Sequence, residues 1–129
     1  MPRTRPGMTG RGHAAKQNVR KMSFRLYLLQ RLTAALMLPL IVAHLATILY
    51  ATRHGLSAAD ILGRTRGSVL WGSFYGLFVV LAATHGAIGL RVVVSEWTGL
   101  RGLTLNLVML AAGLILAVLG LRAVYAVVA

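Results

Sequence analysis

In a chain of 129 residues that is 57% hydrophobic, the apolar residues are gathered into three long runs rather than spread as amphipathic stripes, which excludes an ordinary soluble domain. Fourteen Lys and Arg face only two acids, Asp60 and Glu96, for a formal net charge of +12. Cysteine is absent, so the chain itself supplies no disulfide, thiolate or iron–sulfur ligand.

Eight of the fourteen basic residues lie in the first 31 positions, interleaved with Pro2, Pro6, Gly7, Gly10 and Gly12. Those residues discourage regular structure, so residues 1–30 are expected to form a flexible, basic, cytoplasmic tail. Such a tail attracts anionic lipid at about 1 kcal/mol per basic residue near the surface. It carries no base-reading motif, and nucleic acid is not an expected partner. A cleaved leader would place a short apolar core after a brief basic start, whereas this basic region is long and the run after it is of full membrane length. The first run is expected to stay as a helix.

About 20 apolar residues span a bilayer as a helix. Three segments qualify, 32–50, 69–94 and 103–128, which predicts an all-α membrane bundle of three transmembrane helices over residues 31–129. Pro39 is expected to kink the first, as packed membrane helices allow. Lys and Arg accumulate on the cytoplasmic side. The tail and the second loop (Arg91, Arg101) carry ten, and the first loop carries only Arg53, Arg64 and Arg66, so the N-terminus is expected inside. Tyr27 and Trp97 would then mark the inner interface, with Tyr50, Trp71, Tyr75 and Tyr125 at the outer one. Small residues recur at Gly72 and Gly76, Ala82 and Gly86, and Gly113 and Ala117, a spacing that lets backbones approach.

Two histidines fall within the spans. His44 lies thirteen positions past Arg31, roughly 20 Å from the inner boundary, and His85 lies eleven positions before Glu96, roughly 16 Å from it. On that count the two imidazoles differ in depth by a helical turn or less. A polar group at such depth is a candidate functional residue. Each imidazole either hydrogen-bonds a neighbouring helix or ligates haem iron. Gly86 and Gly89 beside His85 would give a flat macrocycle a smooth platform, and Glu96 lies on nearly the same face, about three turns on. His54 and His13 lie in a loop and in the tail, and no role is assigned to them.

The run His85-Gly-Ala-Ile-Gly89-Leu-Arg91-Val-Val-Val-Ser-Glu96-Trp97 resembles the haem-bearing helix of the membrane anchor subunits of succinate dehydrogenase and fumarate reductase. In those anchors a ligand His is followed by Gly four positions on, often Arg at six, and an acid at eleven. The opening Gln30-Arg31-Leu32-Thr33-Ala34 likewise resembles the Arg-x-Ser/Thr-small signature with which they enter the membrane. The resemblance implies a subunit without catalytic activity of its own. It would sit in a bacterial or archaeal cytoplasmic membrane, dock a flavoprotein and an iron–sulfur subunit, and pair with a second membrane anchor.

It also implies b-type haem, one or two, held through His85 and His44 with opposite ligands from the partner anchor. A quinone pocket would involve Arg31, Glu96, Trp97 and Tyr27, with Arg31 serving a haem propionate or a quinone oxygen. Two departures stand out: the family's Asp-Tyr pair is Glu96-Trp97 here, and a quinone-site Ser of some relatives is Tyr27. Trp donates one hydrogen bond but is no substitute for a phenol as an acid. The alternative from another class is a cofactor-free structural subunit of a different membrane complex, in which both histidines only pack.

Overall fold

The computed structural model describes residues 9–129, which form four helices in chain order: α1 (Thr9–Arg53), α2 (Ala58–Thr65), α3 (Val69–Thr98) and α4 (Gly102–Val128). No strand occurs among the described residues. Three helices carry segments long and apolar enough to cross a membrane: Ser23–Arg53, Val69–Thr98 and Gly102–Val128, with mean hydropathies of 2.2, 2.0 and 2.4 over their most apolar windows. Large side chains stay exposed along all three, among them Leu38, Val69, Leu70 and Leu103. A helix that is apolar all round belongs in lipid or against other helices.

The first helix starts well ahead of the apolar run. Gly10 and Gly12 lie near its beginning, and Ala, Lys, Gln, Arg, Met and Leu, all good helix formers, dominate the stretch to Arg31. Residues 9–30 are therefore helical where irregular backbone was expected, while Pro2, Pro6 and Gly7 lie outside the described residues. The helix continues unbroken through Pro39.

α3 and α4 form a tight antiparallel pair joined at Gly99 and Gly102, both with φ near +70°. Close approach is made by glycine. A Cβ on Gly113 would lie 3.2 Å from that of Ala87, and one on Gly120 would lie 2.5 Å from Val79 Cγ1. Gly86 and Gly72 face Leu116 and Val128 at ordinary contact distance, whereas Gly76 faces open space. α1 packs against α3.

α2 closes the end of the bundle where α4 finishes. The last carbonyls of a helix lack intrahelical donors. Here the buried Thr65 hydroxyl donates to Val127 O at 2.7 Å, and Gly67 N–H donates to Val128 O at 2.7 Å. The helix is started by a reciprocal cap between Ser57 and Asp60, whose carboxylate accepts from Ser57 N–H at 2.9 Å and from its hydroxyl at 2.6 Å. Those two bonds, helped by Arg64, hold the Asp60 carboxyl below the usual carboxylate range.

Because that value is depressed on folding, the cap's contribution is present above the ordinary carboxylate range and is lost as pH falls through the lowered value. The protection of the Ser57 amide, read as its exchange rate relative to the intrinsic rate at each pH, should accordingly fall under acid, and Asp60→Asn should lower it already at neutral pH.

Adding a methyl distinguishes the glycines. Gly76→Ala meets nothing and gains up to about 1 kcal/mol of helix propensity. Gly120→Ala drives a methyl into Val79, an overpacking that costs about 1–3 kcal/mol. Thermal unfolding in detergent should rank the Gly76→Ala variant at or above the unsubstituted chain and the Gly120→Ala variant below it.

Candidate functional site

The polar interior of the bundle lies between α1 and α3. Gln30 and Thr33 are one turn apart on α1 and so share a face. That face meets His85 on α3, whose Nδ1 is 3.2 Å from Thr33 Oγ1 and whose Nε2 is 3.5 Å from Gln30 Nε2. Thr33 is only 3% exposed. A Cβ on Gly89 would come 3.3 Å from the Gln30 amide nitrogen, so the glycine one turn beyond His85 makes room for that amide. Gly86 faces Leu116 on α4 instead. A Cβ added at Gly86 would thus meet α4 and one added at Gly89 would meet α1.

His44 lies toward the α2 end. Its ring meets Phe78 at 5.4 Å and Tyr75 edge-on at 5.7 Å between centroids, and Trp71 stacks on Tyr75 at 5.6 Å. The Nδ1 of His44 is buried with no hydrogen-bond partner. Beside it opens a cavity of about 630 Å³ whose walls are nearly all apolar or aromatic, with Arg64 on its lining. The Arg64 guanidinium lies 6.0 Å from the centre of the Tyr50 ring.

These contacts correct the depth expected from counting. Thr33 is level with His85, and His44, eleven residues further along α1, meets Phe78 and Tyr75, seven and ten residues from His85 on α3, so the two imidazoles are offset by two to three turns, roughly 10–16 Å, along the bundle rather than by a turn or less. Counting failed because its two reference points, Arg31 and Glu96, do not lie at one level: Arg31 sits opposite Ala87, nine residues short of Glu96.

The four remaining candidate residues lie at the tail end of α1 and the Gly99 end of α3. Arg31 covers the Tyr27 ring, its Cζ 5.6 Å from the centroid, and both side chains are exposed. By the same register Arg31 lies level with Ala87 and Tyr27 with Arg91, while Glu96 and Trp97 lie about one and a half turns beyond Tyr27 and more than two turns beyond Arg31. Glu96 is exposed and Trp97 is 85% exposed. No hydrogen bond or ring contact joins the Tyr27–Arg31 pair to Glu96 or Trp97, so within this chain the two pairs form separate groups. His54 stacks on Tyr50 at 4.2 Å.

Gln30, Arg64 and the aromatic wall of the cavity were not singled out from sequence. A polar pair at i and i+3 entering an apolar run was the available signal for Gln30 and Thr33. Nothing local marks Arg64 as a cavity residue.

Three membrane-length helices with imidazoles turned into the interior define a multi-pass membrane protein. Among the described residues no third His, Asp or Glu joins either histidine in a cluster fit for a bare metal ion. Residues 13–128 match the succinate dehydrogenase/fumarate reductase transmembrane subunit family, and the chain belongs to it. No curated protein and no solved structure matches it.

Proposed function

We propose that this chain is a membrane anchor of a succinate:quinone oxidoreductase or fumarate reductase that helps hold b-type haem and quinone. It docks the flavoprotein and iron–sulfur subunits on the cytoplasmic face of a bacterial or archaeal membrane, beside a second membrane anchor. The observation that carries the reading is the pair of interior imidazoles, offset by two to three turns on facing helices of a chain of this family.

The residues fit haem at both levels. His85 presents two ring nitrogens to the interior in a setting of neutral polar groups. His44 combines a buried, partnerless ring nitrogen with a cavity of cofactor size, and Arg64 on its lining supplies a fixed positive charge suited to a carboxylate. Bound haem would carry single electrons between the iron–sulfur subunit and quinone. Each histidine offers one ligand, so the opposite axial ligands would come from the partner anchor. The offset suits two haems stacked across the membrane.

Quinone falls to the tail-end groups. Arg31 offers several fixed donors for a quinone oxygen or a haem propionate. Glu96 is placed to pass protons at the water boundary, and the Trp97 N–H can donate one hydrogen bond. Tyr27 holds the Arg31 guanidinium. The two groups lie at different levels along the bundle, so a pocket using both would be completed by the partner subunits.

Replacing His85 with Leu should remove or alter the b-haem absorption bands of the intact complex, and an unchanged spectrum would sink the ligand assignment. His44→Leu should halve a haem-to-flavin ratio near two. A ratio near one in the unsubstituted complex, or full haem content in the variant, would leave His44 a packing residue. A co-purified complex with no haem bands at all would favour the cofactor-free reading.

The excess of Lys and Arg on the tail and second loop supports a cytoplasmic N-terminus. A tag at the N-terminus should be cut by protease added to inside-out vesicles, and its protection there would reverse the orientation.

A further inference from the structure

We propose that Thr33 is a positioning residue for haem, fixing His85 in the tautomer that leaves Nε2 free to ligate iron. The inference rests on the haem reading of His85 and adds to it a residue that acts through the imidazole.

The argument is a count of protons. A threonine hydroxyl has one proton to donate and two lone pairs to accept with. Thr33 Oγ1 lies 2.8 Å from Leu29 O and 3.0 Å from Gln30 O, both carbonyls of the preceding turn of α1. Carbonyls only accept, so the hydroxyl proton goes to one of them. If it turned to His85 instead, Oγ1 would hold its lone pairs against two carbonyl oxygens at contact distance. Its third neighbour, His85 Nδ1 at 3.2 Å, must therefore be the donor. With the proton on Nδ1, the lone pair is on Nε2. Thr33 is only 3% exposed, leaving little room for water to take over the acceptor role.

The other side of the ring agrees. The Gln30 amide nitrogen lies 3.5 Å from Nε2, at the outer limit of a hydrogen bond, and an N–H there points to an acceptor rather than to another donor. The Gln30 Oε1 is buried without a partner, so this amide is weakly held on both sides. It would be the side chain to give way if Nε2 were to ligate iron. Metal-bound histidines commonly donate their second N–H to a neighbouring acceptor, which fixes the ring and raises its basicity. Thr33 is that acceptor here.

The test compares the intact complex carrying Thr33→Val, Thr33→Ser or no substitution, read by haem content and by the haem midpoint potential. Valine keeps the shape and removes the acceptor, so haem should be held about 10- to 100-fold less tightly. The potential of what remains should shift upward, because a less basic imidazole favours the reduced iron less poorly than the native one. Serine should return both quantities to the native values. Where valine blocks assembly, Thr33→Ala makes the same comparison against serine. Native haem retention and potential in the valine or alanine complex, with the His85→Leu variant devoid of that haem, would overturn the role of Thr33 alone. A His85→Leu complex with its spectrum intact would instead overturn the haem reading beneath it.

Discussion

The register of α1 against α3, set where Thr33 meets His85, is the constraint on which the arrangement of the interior depends. Helices rise about 1.5 Å per residue, so a single fixed contact between two antiparallel helices places every other residue on them. It puts His44 against Tyr75 and Phe78, two to three turns from His85, and the aromatic cavity lies at the α2 end. The same contact sets Arg31 level with Ala87 and Tyr27 with Arg91, and leaves Glu96 and Trp97 closer to the end of α3.

The bundle is unevenly knit. α3 and α4 meet backbone to backbone through Gly113 and Gly120, and their far end is tied by Thr65 and Gly67 to the last carbonyls of α4. α1 has no comparable glycine seam and leans on α3 through polar and aromatic side chains. In lipid, apolar surface gives no drive for helices to associate, so contacts of this kind and close packing must supply it. Other hydroxyls in the spans satisfy themselves locally: Thr47 donates to His44 O at 2.7 Å and Thr84 to Val80 O at 2.8 Å. Thr33 differs in bonding across helices as well as to its own. The buried polar residues among those described are Thr33, at the contact of α1 with α3, and Thr65, at the end of α4, and the outside of the bundle is broadly apolar.

Much of the fold is legible in the chain. Runs of apolar residues longer than any soluble core element require spanning helices, since backbone in hydrocarbon must bond to itself. That logic places α3 and α4 within a few residues of their ends. It misplaces the start of α1, because a hydropathy boundary marks where apolar surface begins and says nothing of where helical backbone begins. It also misses α2, although Ser57 and Asp60 stand at capping-box spacing, because eight residues carry no apolar run to announce them. Of the small-residue positions, Gly113 and Gly86 do face α3 or α4 neighbours, while Gly76 faces open space and Gly120, the tightest of all, lies outside the paired spacings.

The site divides in the same way. Sequence alone determined which residue types are expensive where they sit, namely His44 and His85 among apolar neighbours, together with the number of spans and the family pattern around them. Each of these is a property of one segment, readable from its own composition and spacing. Only the tertiary structure decided that Thr33 and Gln30 face the two nitrogens of His85, that the two histidines are offset by two to three turns along the bundle, and that Arg64 reaches the cavity beside His44. Those are relations between segments far apart in the chain, and they depend on how one helix slides and turns against another, which no single helix encodes.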